Sequence, residues 1–392
     1  MKSTNPLFTG MPTTIFEVMS RLAEEHKAIN LGQGFPDVDG PEDVRRVAAD
    51  ALMNASNQYP SMMGIPELRQ AVAAANQRFY GLDIDWKTEV MVTSGATEAI
   101  ADCITGLIEP GDEIVLIEPL YDCYLPVVKQ AGGVAKLVRV TPPDWRLDAQ
   151  ALAAAFTPKT KAILINNPMN PAGRVFDEDD LKLIAELTVA HDAFAICDEV
   201  YEHILFDGRK HIPLMTMPGM RDRTLRIGSA GKTFSLTGWK VGYVTAAAKL
   251  LEPVAKAHQF ATFTTPPNLQ RAVAYGLAKE DSYYAGLASE QARKRDRLSA
   301  GLERLGFKVA PSAGTYFITA DFTPLGLKGG DFEICKRMTI EAGVAAVPVS
   351  AFYGSDAPDH FLRFCFCKRD EVLDEALNRL EKWLSAKQPN QS

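Results

Sequence analysis

The chain predicts an α/β fold: a large domain with a mostly parallel sheet between helices, then a smaller α+β domain. Three observations carry this. Short apolar runs alternate with helical stretches from residue 89 to a lysine-bearing loop at 228–243, the rhythm of strands joined by helical crossovers and covered on both faces. Polar residues gather directly after those runs, and ligands of open parallel sheets bind beyond the carboxyl ends of the strands. Past about residue 285 the regular rhythm gives way to strands and helices of a different pattern.

Taken in order, residues 13–28 read as an amphipathic helix with Ile15, Met19 and Leu22 on one face. Asn30-Leu-Gly-Gln-Gly-Phe-Pro-Asp37 is a sharp exposed turn. A helix over 41–55 opens on Pro41, Glu42 and Asp43, Asn57-Gln-Tyr-Pro60 breaks it, and 66–80 is helical again. Strands follow at 89–93, 113–117, 135–140, 161–165, 193–197 and 224–227, with helices between them, among them 148–155 and 178–191. Helices are predicted at 247–260, 268–278 and 283–305, strands at 307–310, 316–319, 344–347 and 361–366, and a closing helix at 369–386. The domain reading is therefore 1–40 as a segment joining the small domain in space, 41–285 as the large domain and 286–392 as the small one. There is no internal repeat.

Bulk properties narrow the class. The 392 residues can bury a large core, with 46% apolar and 23% charged residues and no low-complexity tract. A net charge of −7 without long runs argues against nucleic acid as a main partner. No apolar run approaches the about 18 residues of a membrane span, and the N-terminus lacks a signal-peptide core. Six cysteines with no Cys-x-x-Cys pair read as reduced thiols of a cytoplasmic protein.

The lysine loop is Gly228-Ser-Ala-Gly-Lys-Thr-Phe-Ser-Leu-Thr-Gly-Trp-Lys-Val-Gly-Tyr243. Small residues let backbone N–H groups approach an anion, and Lys232 and Lys240 supply cations. A nucleotide loop needs glycine five residues before Gly231; Arg226 stands there, so the Gly-Lys-Thr match is accidental. What remains is a phosphate site holding a lysine that can bond covalently to a phosphorylated cofactor.

Other candidates fall at neighbouring strand ends. Ser94-Gly-Ala-Thr97 opens a helix, where free N–H groups favour a phosphate; Thr97 could also be a simple cap. Asp198 ends a fully apolar run and reads either as a helix cap or as the partner of a protonated ring nitrogen. Tyr121, Asn170 and Tyr201 can serve the site or merely pack and turn. Along 361–367, alternation puts Arg363 on one face with Cys365 and Cys367, so its guanidinium needs a carboxylate from the protein or from a substrate.

With these residues, the chain resembles the class I aminotransferases, pyridoxal-phosphate enzymes of fold type I with a seven-stranded sheet. The likeness runs from about Thr13 to Trp383. It is carried by Asn167-Pro-Met-Asn-Pro-Ala-Gly173, Asp198-Glu-Val-Tyr201, Ser229-Ala-Gly-Lys-Thr with Gly238-Trp-Lys-Val-Gly242, and Leu362-Arg-Phe. Leu31-Gly-Gln-Gly-Phe-Pro-Asp37, Asn57-Gln-Tyr59 and Tyr121-Asp-Cys-Tyr124 are similar to the branch of kynurenine aminotransferase/glutamine transaminase K and methionine aminotransferase.

The resemblance implies an aminotransferase working in two half-reactions between a neutral L-amino acid (aromatic, thioether or glutamine-like) and a 2-oxo acid. Lys232 would attach to pyridoxal 5'-phosphate and then shuttle the substrate proton. Asp198 would pair with the ring N–H, Asn170 and Tyr201 with the ring 3'-oxygen, and Tyr121 would stack on the ring. Ala96, Thr97, Ser229 and Lys240 would hold the phosphate, with Tyr59 reaching it from the partner of a homodimer. Arg363, Asn170 and the backbone of Gly34 would bind the α-carboxylate, while Phe16 and the partner's Phe263 would line the side-chain pocket. Lys240 stands where the class commonly has arginine, and Phe16 where kynurenine-type relatives have tryptophan. Positive charge from Lys240 and burial are expected to lower the Lys232 pKa. Rival readings are a cysteine-conjugate β-lyase on the same cofactor and a non-catalytic regulator.

Overall fold

The structure is a computed structural model describing residues 2–387. In chain order the strands are β1 (Ile29–Asn30), β2 (Val90–Thr93), β3 (Glu113–Glu118), β4 (Val134–Arg139), β5 (Thr160–Asn166), β6 (Phe194–Asp198), β7 (Thr224–Ser229), β8 (Gly242–Thr245), β9 (Lys308–Val309), β10 (Phe317–Asp321), β11 (Val344–Ala345), β12 (Val347–Pro348) and β13 (Phe361–Cys365). Seven of them form the main sheet, in the order β2-β8-β7-β6-β5-β3-β4.

The main sheet is parallel from β7 to β4, as the alternating pattern predicts; β8 runs antiparallel to both β7 and β2. β8 is not foreseen by the sequence reading, because its four residues read as the tail of the lysine loop. Its position follows from a close approach. A Cβ added at Gly242 would lie 2.7 Å from the Gly95 carbonyl carbon and 3.0 Å from Ala96 N, so the backbones of β8 and the 94–97 turn touch directly. β5, β6 and β7 are buried along nearly their whole length, consistent with helices on both faces.

The last third of the described chain builds an antiparallel sheet ordered β12-β13-β10-β9. The single strand expected over 344–347 divides in two. β11 pairs in parallel with β1 near the N-terminus, while β12 pairs with β13, so one apolar run serves two neighbours. A helix at Asp331–Arg337, continued by a π-turn at Met338–Ala342, is also absent from the sequence reading. One apolar core joins Met19 and Leu31 to Phe317, Leu362, Phe364 and the closing helix (Asp370–Ser385) through Leu373, Leu377 and Trp383. Among the described residues no helix is long and apolar enough to cross a membrane.

Candidate active site

The carboxyl ends of β5, β6 and β7 lie side by side: Asn166 is in register with Asp198, and Ser229 with Gly242 across in β8. Beyond them opens a cavity of about 210 Å³. Ala96, Thr97, Tyr121, Asn170, Asp198, Tyr201, Ser229, Lys232 and Lys240, nine of the residues expected at the site, line it. Their convergence follows from topology, since the parallel strands deliver their carboxyl ends to one edge of the sheet.

At one end, the helix Ala96–Leu107 begins at Gly95, whose φ of +83° favours glycine. Gly95 is its N-cap, so Thr97 is not a cap. A Cβ at Gly95 would come within 3.3 Å of Lys240 Nζ, so that ammonium stands directly over the helix start. Free backbone N–H groups, a positive helix end, Ser229 and Lys240 make a cradle suited to a phosphate.

At the other end sits Asp198, 5% exposed. Burial raises its pKa, while the Tyr124 hydroxyl, the Val200 N–H and Lys232 pull it back down. Tyr124 donates to Asp198 Oδ2 at 2.5 Å. Asn166 Nδ2 donates to the Asp198 carbonyl at 2.9 Å, and Asn166 Oδ1 accepts from Asn170 N at 2.7 Å, fixing the turn that follows β5. A buried carboxylate raised by desolvation gains most from a cationic partner, as a protonated ring nitrogen would be.

Tyr124 lies in a motif quoted for the family likeness but is given no role by the sequence. Because its hydroxyl helps keep Asp198 ionised, Tyr124→Phe is expected to raise the Asp198 pKa further. The acid limb of cofactor affinity should then move to higher pH, with dissociation constants up about ten- to hundredfold at neutral pH. Cofactor titrations of both proteins between pH 5 and 9 check this, and superimposable curves would contradict it.

Lys232 lies in a short helical turn (Ala230–Thr233) directly after β7. Its Nζ donates to Tyr316 Oη at 3.1 Å, and Tyr316 donates in turn to the Gly34 carbonyl at 2.6 Å. The rings of Tyr201 and Tyr316 stand 5.6 and 5.7 Å from Nζ. Burial, seconded by Arg363, pushes the Lys232 pKa below the usual lysine range, against the pull of Cys367, Asp198 and Cys365. Lys240, the cation expected to lower it, is not among the largest contributions; its Nζ stands at the start of the helix Ala96–Leu107, and Arg363 is the cation with the larger effect. Tyr316 is a second residue the sequence missed, because it reads as an ordinary strand residue.

Arg363 is 1% exposed and has no carboxylate within salt-bridge distance among the described residues. It donates to Asn170 Oδ1 at 2.9 Å and to the Gly32 carbonyl, while its Nε has no partner. The backbone carbonyl that meets it is therefore that of Gly32; the Gly34 carbonyl goes to Tyr316. Phe317, Phe16 and Phe352 surround the guanidinium at 4.0, 5.0 and 5.2 Å from their ring centres. Tyr59 and Phe263 stand elsewhere, outside this cavity. They are 85% and 41% exposed, with ring centroids 5.9 Å apart.

The sheet, the cradle, the buried acid and the buried lysine define a pyridoxal-phosphate enzyme of fold type I, and its donor set fits that cofactor. The chain belongs to the aminotransferases of class I and II, whose family matches residues 26–380. The solved structure of N-succinyldiaminopimelate aminotransferase from Mycobacterium tuberculosis is similar throughout, with a TM-score of 0.95 and 46% identity, over 97% of this chain and 100% of that one. Methionine aminotransferase of Escherichia coli (strain K12) is 38% identical over 370 residues, 94% of this chain and 96% of its own length. Kynurenine–oxoglutarate transaminase 3 of Rattus norvegicus is 37% identical over 407 residues, 96% and 90% of the two chains. The last two bear out the resemblance read from the motifs; the first is one the motifs did not single out.

Proposed function

We propose that this aminotransferase takes a neutral L-amino acid as donor, with Arg363 binding its α-carboxylate and Lys232 moving its proton. The carrying observation is the buried guanidinium without a carboxylate, boxed by aromatic rings. A planar fork in such surroundings suits a substrate carboxylate held bidentately. The aromatic walls offer nothing charged to a second carboxylate, and the half-buried Asp122 carboxylate, which feels the charge of Arg363, adds negative charge nearby.

Bound pyridoxal phosphate supplies an electron sink that acidifies the substrate Cα–H. Asp198, whose charged form the Tyr124 hydrogen bond favours against burial, would pair with the ring N–H. Asn170 and Tyr201 would hold the ring 3'-oxygen, and Tyr121 would cover the ring. Ala96, Thr97, Ser229 and Lys240 bind the phosphate. Lys232, its pKa lowered by burial, would be the neutral amine that takes the substrate Cα proton and holds it on Nζ for the return transfer. The paired exposed rings of Tyr59 and Phe263 suit a homodimer in which each serves the partner's site, and exposed Met53 and Phe260 add apolar surface for it. The division at residues 40 and 285 and a cytoplasmic location belong to the same reading.

A second reading is favoured by the 46% identity to N-succinyldiaminopimelate aminotransferase: a longer donor with a modified, acidic far end. A visible absorbance scan of the cofactor-loaded protein separates the two. Methionine, glutamine, phenylalanine, kynurenine, aspartate and N-succinyldiaminopimelate are added singly, and the oxo-acid products are identified. Bleaching by members of the first four supports the neutral donor. Bleaching by N-succinyldiaminopimelate alone would replace it, and release of pyruvate and ammonia from a cysteine conjugate in place of transfer would mark a β-lyase.

A further inference from the structure

Behind the phosphate cradle lies a cluster of half-buried Glu98 with buried Asp102 and His258, whose ligand-type atoms are within 4.8 Å of one another. It invites a metal, but the ring nitrogens point elsewhere. His258 Nε2 lies 2.9 Å from the Met62 carbonyl and Nδ1 lies 2.9 Å from Glu98 Oε1, with Asp102 Oδ2 at 3.4 Å. A carbonyl and a carboxylate only accept, so both nitrogens carry protons and the ring is an imidazolium, which cannot ligate. Burial opposes that charge, yet the adjoining Asp102 and Glu98 carboxylates override it and raise the pKa to about 9.

What the imidazolium holds together is specific. Glu98 belongs to the first turn of the helix Ala96–Leu107, and its carboxylate also accepts from the Ser94 N–H. Met62 follows Tyr59 by three residues. The His258 carbonyl accepts from Phe263 N at 3.0 Å, and Ser94 Oγ lies 2.9 Å from Thr265 Oγ1. Gln270 closes the arrangement, accepting from Ile65 N at 2.8 Å and donating to the Thr265 carbonyl at 2.6 Å. One buried cation thus meets the start of the phosphate-binding helix and the segment after Tyr59, while the backbone carbonyl of the same residue holds the turn carrying Phe263.

We propose that His258 is a positioning residue that fixes the chain's own phosphate cradle in register with Tyr59 and Phe263, the two side chains offered to the partner's site. The inference rests on the site reading given above. Loosening this residue should therefore weaken cofactor binding and substrate affinity together, while the proton chemistry at Lys232, which makes no contact with His258, is largely spared.

The test uses the full-length protein as His258→Leu, His258→Gln and, as a stability control on the same helix, Val254→Ala. Val254 is fully buried in the helix Ala248–Ala261 but has no part in the cluster. For His258→Leu, a dissociation constant for pyridoxal phosphate about ten- to hundredfold above wild type is expected, from absorbance titration of the apo-protein. The donor KM should rise at least about fivefold, with kcat at saturating cofactor within about threefold, and amides of residues 259–265 should exchange faster. His258→Gln, which keeps donor hydrogens without the charge, should fall between the two, and it carries the test if the leucine variant does not fold. Cofactor affinity and KM within twofold of wild type in a folded His258 variant would overturn the proposal. So would Val254→Ala changing them as much for a similar loss in Tm. A wild-type protein that binds no cofactor would instead bring down the site reading itself.

Discussion

Lys232→Ala is expected to lower transamination by at least about 10⁴-fold, to background, while the protein keeps its fold and still binds pyridoxal phosphate non-covalently. The size follows from the arrangement. Nζ is a buried amine in a cavity also lined by the phosphate cradle and by Asp198. Among the described residues lining that cavity the other amine is Lys240, which stands over the start of the helix Ala96–Leu107. Stability should not suffer, because burial already penalises the lysine's charge. Tm should match or exceed that of the wild type. Turnover, Tm and the visible spectrum of one preparation decide the matter; near-normal turnover would remove Lys232 from the mechanism.

Arg363→Ala is expected to raise KM for amino and oxo acid in parallel by two to three and a half powers of ten. That corresponds to about 3–5 kcal/mol for a buried charge pair that forms only when substrate arrives. In the free protein the guanidinium has no carboxylate partner but bonds Asn170 and the Gly32 carbonyl and packs among three rings, so its removal should also lower Tm, and KM is read on the folded variant. Arg363→Lys keeps the charge but loses the fork, and should recover only part of the affinity. A smaller effect on kcat is expected, since the carboxylate contact is made in the ground state and the transition state alike. An unchanged KM would take Arg363 out of the substrate site.

These two residues were both legible in the sequence, for different reasons. Lys232 announces itself by its run of small neighbours, and Arg363 by strand alternation that puts a cation on a buried face. Tyr124 and Tyr316 did not stand out. A tyrosine in an apolar stretch reads as packing until the direction of its hydroxyl is known, and here one hydroxyl meets Asp198 and the other meets Lys232. His258 was equally silent, since its two carboxylates lie some 160 residues away along the chain.

The sequence by itself determined the fold class, the parallel strand–helix rhythm, the strand ends that carry the chemistry and the family. Each of these is written in local spacing: apolar runs, turn residues, and polar groups placed directly after a strand. Tertiary structure alone decided that β8 enters the main sheet antiparallel, that the 344–347 run splits between two partners, and that Arg363 is among the largest influences on Lys232. It also decided that one imidazolium joins the helix start at Glu98 to the segment at Met62, both far from His258 along the chain. Strand neighbours, side-chain aim and desolvation depend on which distant segments pack together, and no window of the sequence contains both halves of such a contact.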